Sequence, residues 1–237
     1  MSCLGTNRLQ NIYQELSNIN KNDIYNRMNI ERPEQELIAK FLPNRCCVLE
    51  MGGESGTTSL IINKILEDPT KHVLVEPSEN SIPKLEFVKQ TYHTKFNVVH
   101  GFVGRNRKMH EELWEECKYR KMYDLHELES IVKQKFDVLV IDCEGAFYNI
   151  LNDIPEILES IKMIIIEMDG PDDKVPEVRN KLIENGFVLI HTQTHPFLNN
   201  GDKNNLEFGV FETVEDFNKI KCRKNMVGFH EVYVQYS

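Results

Sequence analysis

Acidic residues follow two strongly apolar segments of the sequence, in positions where they could take part in catalysis. Asp142 and Glu144 come after the run VLVI, and Glu167 and Asp169 come after the run III. Continuous apolar runs are typical of strands buried on both faces, so the acids are predicted to lie at strand ends rather than inside a sheet. If the two strands are parallel neighbours, their carboxyl ends meet at one edge, and three or four carboxylates gather beside a bound substrate.

Such a group of acids is compatible with three kinds of chemistry. One acid could act as general base toward a substrate hydroxyl, with a pKa raised by burial and by its neighbours. Alternatively, Asp142, Glu167 and Asp169 could hold a hard divalent cation such as Mg²⁺, which would lower the pKa of the hydroxyl. The acids could also only cap helices and bind substrate hydroxyls. The catalytic candidates are Asp142, Glu144 and Glu167, with Asp142 as the first choice for base or for metal-bound partner.

A glycine-rich turn with a preceding acid lies in the stretch VLEMGGESGTTS, residues 48–59. Glu50 stands where a dinucleotide-binding fingerprint needs its first glycine. A carboxylate facing a pyrophosphate would repel it by roughly 1–4 kcal/mol at about 4 Å. A ligand with an ammonium or sulfonium group reverses that sign, and S-adenosylmethionine carries both groups and no phosphate. The predicted cofactor residues in this turn are Glu50, Gly52, Gly53, Ser55 and Gly56.

Two further residues fit an adenosyl ligand. Glu76 ends the apolar run HVLVE, 24 residues beyond Gly52. An acid at this point can accept hydrogen bonds from both ribose hydroxyls, and Pro77 turns the chain away from the strand end. Phe102 follows the next apolar run, where the adenine ring is expected.

The elements that must position these residues alternate along the chain. Five apolar runs between residues 46 and 169 are separated by helical segments, and two closing strands follow, the last alternating enough to lie antiparallel at or near an edge. The pattern predicts an α/β fold with a doubly wound, mostly parallel, seven-stranded Rossmann-like sheet. Residues 1–44 are predicted to form an N-terminal helical segment and 45–237 the main domain, with 104–135 inserted as a helical cap over the ligand crevice.

Composition limits the partners. The 237-residue chain has a formal net charge of −9, which argues against a nucleic-acid partner, and it has no apolar run near the roughly 20 residues that a membrane helix needs. Its six cysteines form no CxxC pair and its first residues do not resemble a signal peptide, so a reducing, cytoplasmic location is expected. The oligomeric state is not indicated.

Four stretches resemble one known family: VLEMGGESGTTS, VLVEPSENSIPKL, FDVLVIDCEGAFYNIL and IKMIIIEMD. Together they are similar to the FkbM-type methyltransferases, and the likeness covers about residues 45–192. The D-x-E-G block is its most specific part. The resemblance implies a class I S-adenosylmethionine-dependent enzyme that O-methylates sugars, glycans or macrolide-type natural products. It also implies that Glu50, Gly52 and Gly56 form the cofactor loop, that Glu76 binds the ribose, and that Asp142 contacts the cofactor between methyl donor and acceptor.

The predicted function is therefore methyl transfer from S-adenosylmethionine to the hydroxyl of a small molecule, with a sugar or glycan as the favoured acceptor. The chain departs from the family at Val140, where a lysine is common, and at Phe147, where a second glutamate is often found. Alternatively, the protein could O-methylate another small-molecule natural product. It could also be a nucleotide-binding oxidoreductase or a non-catalytic protein with the same fold.

Overall fold

A computed structural model describes residues 3–27, 31–111, 118–168, 174–196, 210–211 and 226–235. Asp169, a member of the predicted metal set, lies outside the described residues, as does the middle of the predicted cap, 112–117. Three helices precede the first strand: α1 (Cys3–Ser17), α2 (Lys21–Arg27) and α3 (Arg32–Phe41). Pro33 stands in the first turn of α3, where its missing N–H costs no hydrogen bond.

The strands and helices then alternate as the apolar pattern predicts. The strands are β1 (Val48–Met51), β2 (His72–Glu76), β3 (Asn97–His100), β4 (Phe102–Val103), β5 (Met122–Tyr123), β6 (Val138–Ile141), β7 (Met163–Glu167), β8 (Phe187–Pro196), β9 (Val210–Phe211) and β10 (Met226–Gln235). The later helices are α4 (Thr57–Ile65), α5 (Ile82–Tyr92), α6 (Arg107–Glu111), α7 (Leu125–Val132), α8 (Phe147–Asp153) and α9 (Val175–Glu184).

One large sheet forms the centre of the fold, and its strand order is β3-β2-β1-β6-β7-β10-β8-β9. The first five strands in this order are parallel, and β10 runs antiparallel between β7 and β8. Strand β9 adds only two residues to the edge. Apart from this short edge strand the sheet has seven strands, so the prediction of a mostly parallel seven-stranded sheet flanked by helices is confirmed.

Strand β10 is antiparallel and has only β8 and the short β9 between it and the edge, which agrees with the expectation of an antiparallel strand at or near an edge. One of its alternating polar residues, Glu231, is nevertheless fully buried. Arg179 of α9 donates three hydrogen bonds to the Glu231 carboxylate, and the Tyr233 hydroxyl donates a fourth. The hydrogen bonds of Glu231 and Tyr233 are thus made inside the protein, which allows an internal strand to carry these polar groups.

Apolar side chains cover both faces of the sheet. On one face Leu37 and Ile38 of α3 pack with residues of α1, α4 and α5 against the strands. On the other face α7, α8 and α9 pack around Phe136 and Leu139. Because α3 shares a core with β1, the N-terminal helices are held against the strand that precedes the glycine turn. Among the described residues, no helix has the length and apolar character required to cross a membrane.

Candidate functional site

A cavity of about 360 Å³ lies at the carboxyl ends of β1, β2 and β6. In this sheet the strand order reverses between β1 and β6, and open α/β sheets bind ligands at such a point. The volume is within the range of sites for cofactors and small molecules. The predicted residues on its wall are Gly52, Gly53, Glu76, Phe102, Asp142 and Glu144.

Gly52 joins the first strand to the end of β6. Its φ is +88°, a conformation that favours glycine, and a Cβ atom there would lie 1.6 Å from the backbone oxygen of Asp142. The Asp142 amide in turn donates to the Met51 carbonyl at 3.0 Å. Because residue 52 has no side chain, the glycine turn can lie directly against the backbone of Asp142, the predicted catalytic acid.

The carboxylate of Glu76 holds the glycine turn in place. Its Oε2 accepts hydrogen bonds from the amides of Gly53 at 2.8 Å and Glu54 at 3.0 Å, and its Oε1 accepts from the amide of Ser78 at 2.7 Å. A carboxylate offers about four acceptor positions, so roughly one remains for a ligand before any of these bonds exchanges. The buried Glu76 thus links three backbone amides to the wall of the cavity.

Three of the predicted cofactor residues do not line this cavity. Glu50 is buried on β1 and contacts the His72 ring, with 2.7 Å between its Oε2 and Nε2. Side chains alternate across a strand, so Glu50 projects to the face opposite Met51, which does line the cavity. Ser55 pairs with Thr57 through their hydroxyls at 2.6 Å, and Gly56 precedes α4 in a left-handed conformation.

Asp142 and Glu167 meet as the strand pairing predicts. Their strands pair in register up to Ile141 and Ile166, and the two acids that follow share a side-chain hydrogen bond. The pKa of Asp142 is raised to about 6, mainly by burial and next by the charge of Glu144, while the bond to Glu167 opposes the rise. Glu167 does not line the cavity, whereas Glu144 does, with a left-handed φ of 54°.

Two further acids, Glu31 and Glu34, come from the start of α3, and sequence reasoning missed them. One carboxylate oxygen from each, together with one from Asp142, lie within 4.8 Å of one another. Burial is the main cause that raises the pKa of Glu31 to about 8, followed by the charge of Asp142. The same two causes raise the pKa of Glu34 well above its ordinary value. The sequence signal was the acid-rich helix start ERPEQE, residues 31–36.

The insertion contributes His110 to the wall. The His110 Nε2 lies 3.2 Å from Asp153 Oδ2 at the end of α8, and the Asn106 amide donates to the same oxygen at 2.8 Å. The short parallel pair of β4 and β5 brings the chain back beside Phe102, which is buried on the wall. The described parts of 104–135 thus contact the cavity, and their action as a cap stays a prediction.

No protein-family profile matches the sequence, and no curated protein matches it. Solved structures do match the fold. A proposed O-methyltransferase from Klebsiella pneumoniae shares 13% identity over 95% of this chain and 90% of its own, with a TM-score of 0.50. A proposed RNA methyltransferase from Pyrococcus horikoshii shares 12% identity over 86% of this chain and 80% of its own, with a TM-score of 0.50.

A proposed tRNA (m1A22) methyltransferase from Streptococcus pneumoniae gives a similar result. It shares 12% identity over 87% of this chain and 71% of its own, with a TM-score of 0.50. Likeness at this level of identity establishes the fold. The chain has the Rossmann-like fold of class I methyltransferases, and the cavity lies at the carboxyl edge of that sheet.

Proposed function

We propose that this protein is an S-adenosylmethionine-dependent methyltransferase whose acceptor is a hydroxyl group, with a sugar or glycan as the favoured class of acceptor. The main support for the proposal is that Glu76, the glycine turn and Asp142 line the same cavity in a class I methyltransferase fold. The fold alone hosts many reactions, so the argument depends on these side chains.

The residues of the wall fit an adenosyl ligand with a positive charge. Glu76 has acceptor capacity for the ribose, and Phe102, Val103 and Ile150 supply apolar surface for the adenine. The described wall carries five carboxylates and one lysine: Glu31, Glu54, Glu76, Asp142, Glu144 and Lys84. Lys84 is paired with Glu54, and Glu31, with its pKa raised to about 8, is largely neutral near pH 7. The negative charge that remains on Glu76, Asp142 and Glu144 favours an ammonium or sulfonium group and disfavours a phosphate. When bound, S-adenosylmethionine would supply the activated methyl group.

Asp142 is the group proposed to act on the acceptor. It stands at the junction of the turn and β6, and its raised pKa, about 6, is suited to holding a hydroxyl proton near neutral pH. Carboxylates such as Glu144 can also accept hydrogen bonds from neighbouring sugar hydroxyls. A net charge of −9 and an acidic wall favour such an acceptor over RNA, the substrate class in the names of two of the similar structures.

The first test is cofactor binding. S-adenosylhomocysteine at 100 times its dissociation constant is expected to stabilise the protein by about 2.7 kcal/mol, whereas NAD at the same concentration should not. Thermal unfolding measures both, and mass spectrometry with labelled donor then tests a panel of hydroxyl acceptors. Stabilisation by NAD instead would favour an oxidoreductase. Binding of S-adenosylhomocysteine without methyl transfer to any acceptor would favour a non-catalytic protein.

A second prediction concerns Glu76. Replacing Glu76 with Gln puts an amide NH₂ among three backbone N–H donors, so at least one donor loses its acceptor. We expect a loss of about 1–3 kcal/mol in the free energy of unfolding. Affinity for S-adenosylhomocysteine should fall at least about tenfold in calorimetry, since a hydrogen bond to a charged acceptor contributes about 1.5–3 kcal/mol.

The matched control is Glu79→Gln in the loop that follows β2. Glu79 is exposed and pairs with Arg120, and it does not line the cavity. This variant should bind S-adenosylhomocysteine like the wild type. Unchanged affinity in Glu76→Gln would remove Glu76 from the cofactor site.

A further inference from the structure

Three carboxylates lie close together beside the cavity, and binding of the cofactor does not require this cluster. One oxygen each from Glu31, Glu34 and Asp142 lie within 4.8 Å of one another. Glu31 and Asp142 line the cavity, and Glu34 lies behind them on the first turn of α3. The three residues come from α3 and from the end of β6, so tertiary packing alone brings them together.

One carboxylate oxygen in this cluster, on Glu34, is buried without a hydrogen-bond partner. The Glu34 side chain is 1% exposed, its Oε2 accepts a hydrogen bond from Thr58 at 2.7 Å, and its Oε1 is buried without a partner. Buried acceptors in native proteins are almost always satisfied, so the Oε1 of Glu34 points to a ligand that offers positive charge.

We propose that Glu31, Glu34 and Asp142 bind a hard divalent cation at the acceptor side of the cavity. Carboxylate oxygens are the ligands that Mg²⁺, Mn²⁺ and Ca²⁺ prefer, whereas softer metals select nitrogen or sulfur. The ligand set differs from the one predicted from the sequence, which combined Asp142 with Glu167 and Asp169. Because Glu31 and Asp142 line the cavity, a cation bound to them would be accessible to a substrate.

The cation gives the proposed methyl transfer a way to activate its acceptor, and in this respect the inference rests on the proposed function. A divalent cation beside the acceptor hydroxyl lowers the pKa of that hydroxyl and orients its oxygen. It also compensates the negative charge that the three carboxylates carry when they bind it. The binding test needs neither cofactor nor acceptor, so its failure is distinct from failure of the proposed function.

The experiment uses the full chain after treatment with EDTA and dialysis. Mg²⁺, Mn²⁺ and Ca²⁺ are titrated separately in calorimetry, and thermal unfolding is followed with and without each ion. We expect at least one ion to bind with one site per chain and to raise the melting temperature. Glu34→Gln and Glu31→Gln should each weaken that binding at least tenfold. Glutamine has nearly the same shape as glutamate and brings no charge to bury, so the metal-free variants should remain folded.

Glu36→Gln is the matched control. Glu36 lies on the same helix, is partly exposed, pairs with Arg32, and does not belong to the cluster. It should bind the ion like the wild type. The inference is overturned if none of the three ions binds at millimolar concentration, or if Glu31→Gln and Glu34→Gln bind as tightly as Glu36→Gln.

Discussion

Replacing Asp142 with Asn is expected to reduce methyl transfer by about 10²–10⁴-fold, the usual contribution of a positioned proton acceptor. Asparagine has almost the same shape, so the packing against Gly52 and the hydrogen-bonding position beside Glu167 are retained. The amide cannot take a proton from the acceptor, and it is a weaker ligand for a divalent cation. Direct removal of the proton and activation by a bound cation both need the negative charge.

Initial rates with labelled S-adenosylmethionine and a responsive acceptor measure this loss. The affinity for S-adenosylhomocysteine, determined on the same preparation, is the internal control and should stay nearly unchanged. Unchanged turnover would remove Asp142 from the chemistry. Loss of S-adenosylhomocysteine binding together with turnover would instead assign Asp142 to the shape of the cofactor site. A parallel titration with Mg²⁺ shows whether cation binding is lost with the same substitution.

The arrangement of the strands was predictable because burial on both faces leaves a clear mark in the sequence. A strand covered by helices on both sides is apolar along its buried length, as β6 is throughout and β7 is up to Ile166. The polar residue that ends each run then marks the edge of the sheet. Asp142 and Glu167 were predicted to be neighbours on this basis, and the structure brings them into hydrogen-bonding contact.

The direction of Glu50 was not predictable from the motif alone. A fingerprint assigns a residue to a turn, but Glu50 is still within β1, where the pleat decides its face. Its neighbours Leu49 and Met51 pack on the side of Phe136, so Glu50 faces the other layer and meets His72. The period of two, which applies until the strand ends, thus explains why Glu50 does not line the cavity, and its contact with a ligand stays a prediction.

Glu31 and Glu34 were missed for a different reason. The acids at the start of α3 resemble an ordinary solvated first turn, which favours negative charge. Their burial depends on how Leu37 and Ile38 seat the helix against the sheet, and local sequence does not encode that docking. Even so, Glu31 has a left-handed φ of 52° directly before the helix, a strained conformation that is common at functional sites.

Substitution of Gly52 by Ala is expected to have the largest effect on stability. A Cβ at this position would lie 1.6 Å from the Asp142 backbone oxygen, so the turn or the end of β6 must move. The left-handed φ of +88° adds a conformational cost of about 1–2 kcal/mol, and forced displacement of packed atoms adds about 1–3 kcal/mol. We expect the free energy of unfolding to fall by at least about 2 kcal/mol, with a loss of S-adenosylhomocysteine binding.

Gly186→Ala separates the two causes. Gly186 has a similar φ of +84°, but the nearest atom to its added Cβ is Gln235 Nε2 at 3.9 Å, which is ordinary contact. The free energy of unfolding of this variant should fall only by the conformational cost, about 1–2 kcal/mol, and the variant should bind S-adenosylhomocysteine like the wild type. Urea unfolding of both variants measures the difference. Equal losses in the two would mean that the close approach of the turn to Asp142 does not matter for stability, and intact binding in Gly52→Ala would mean that it does not shape the cofactor site.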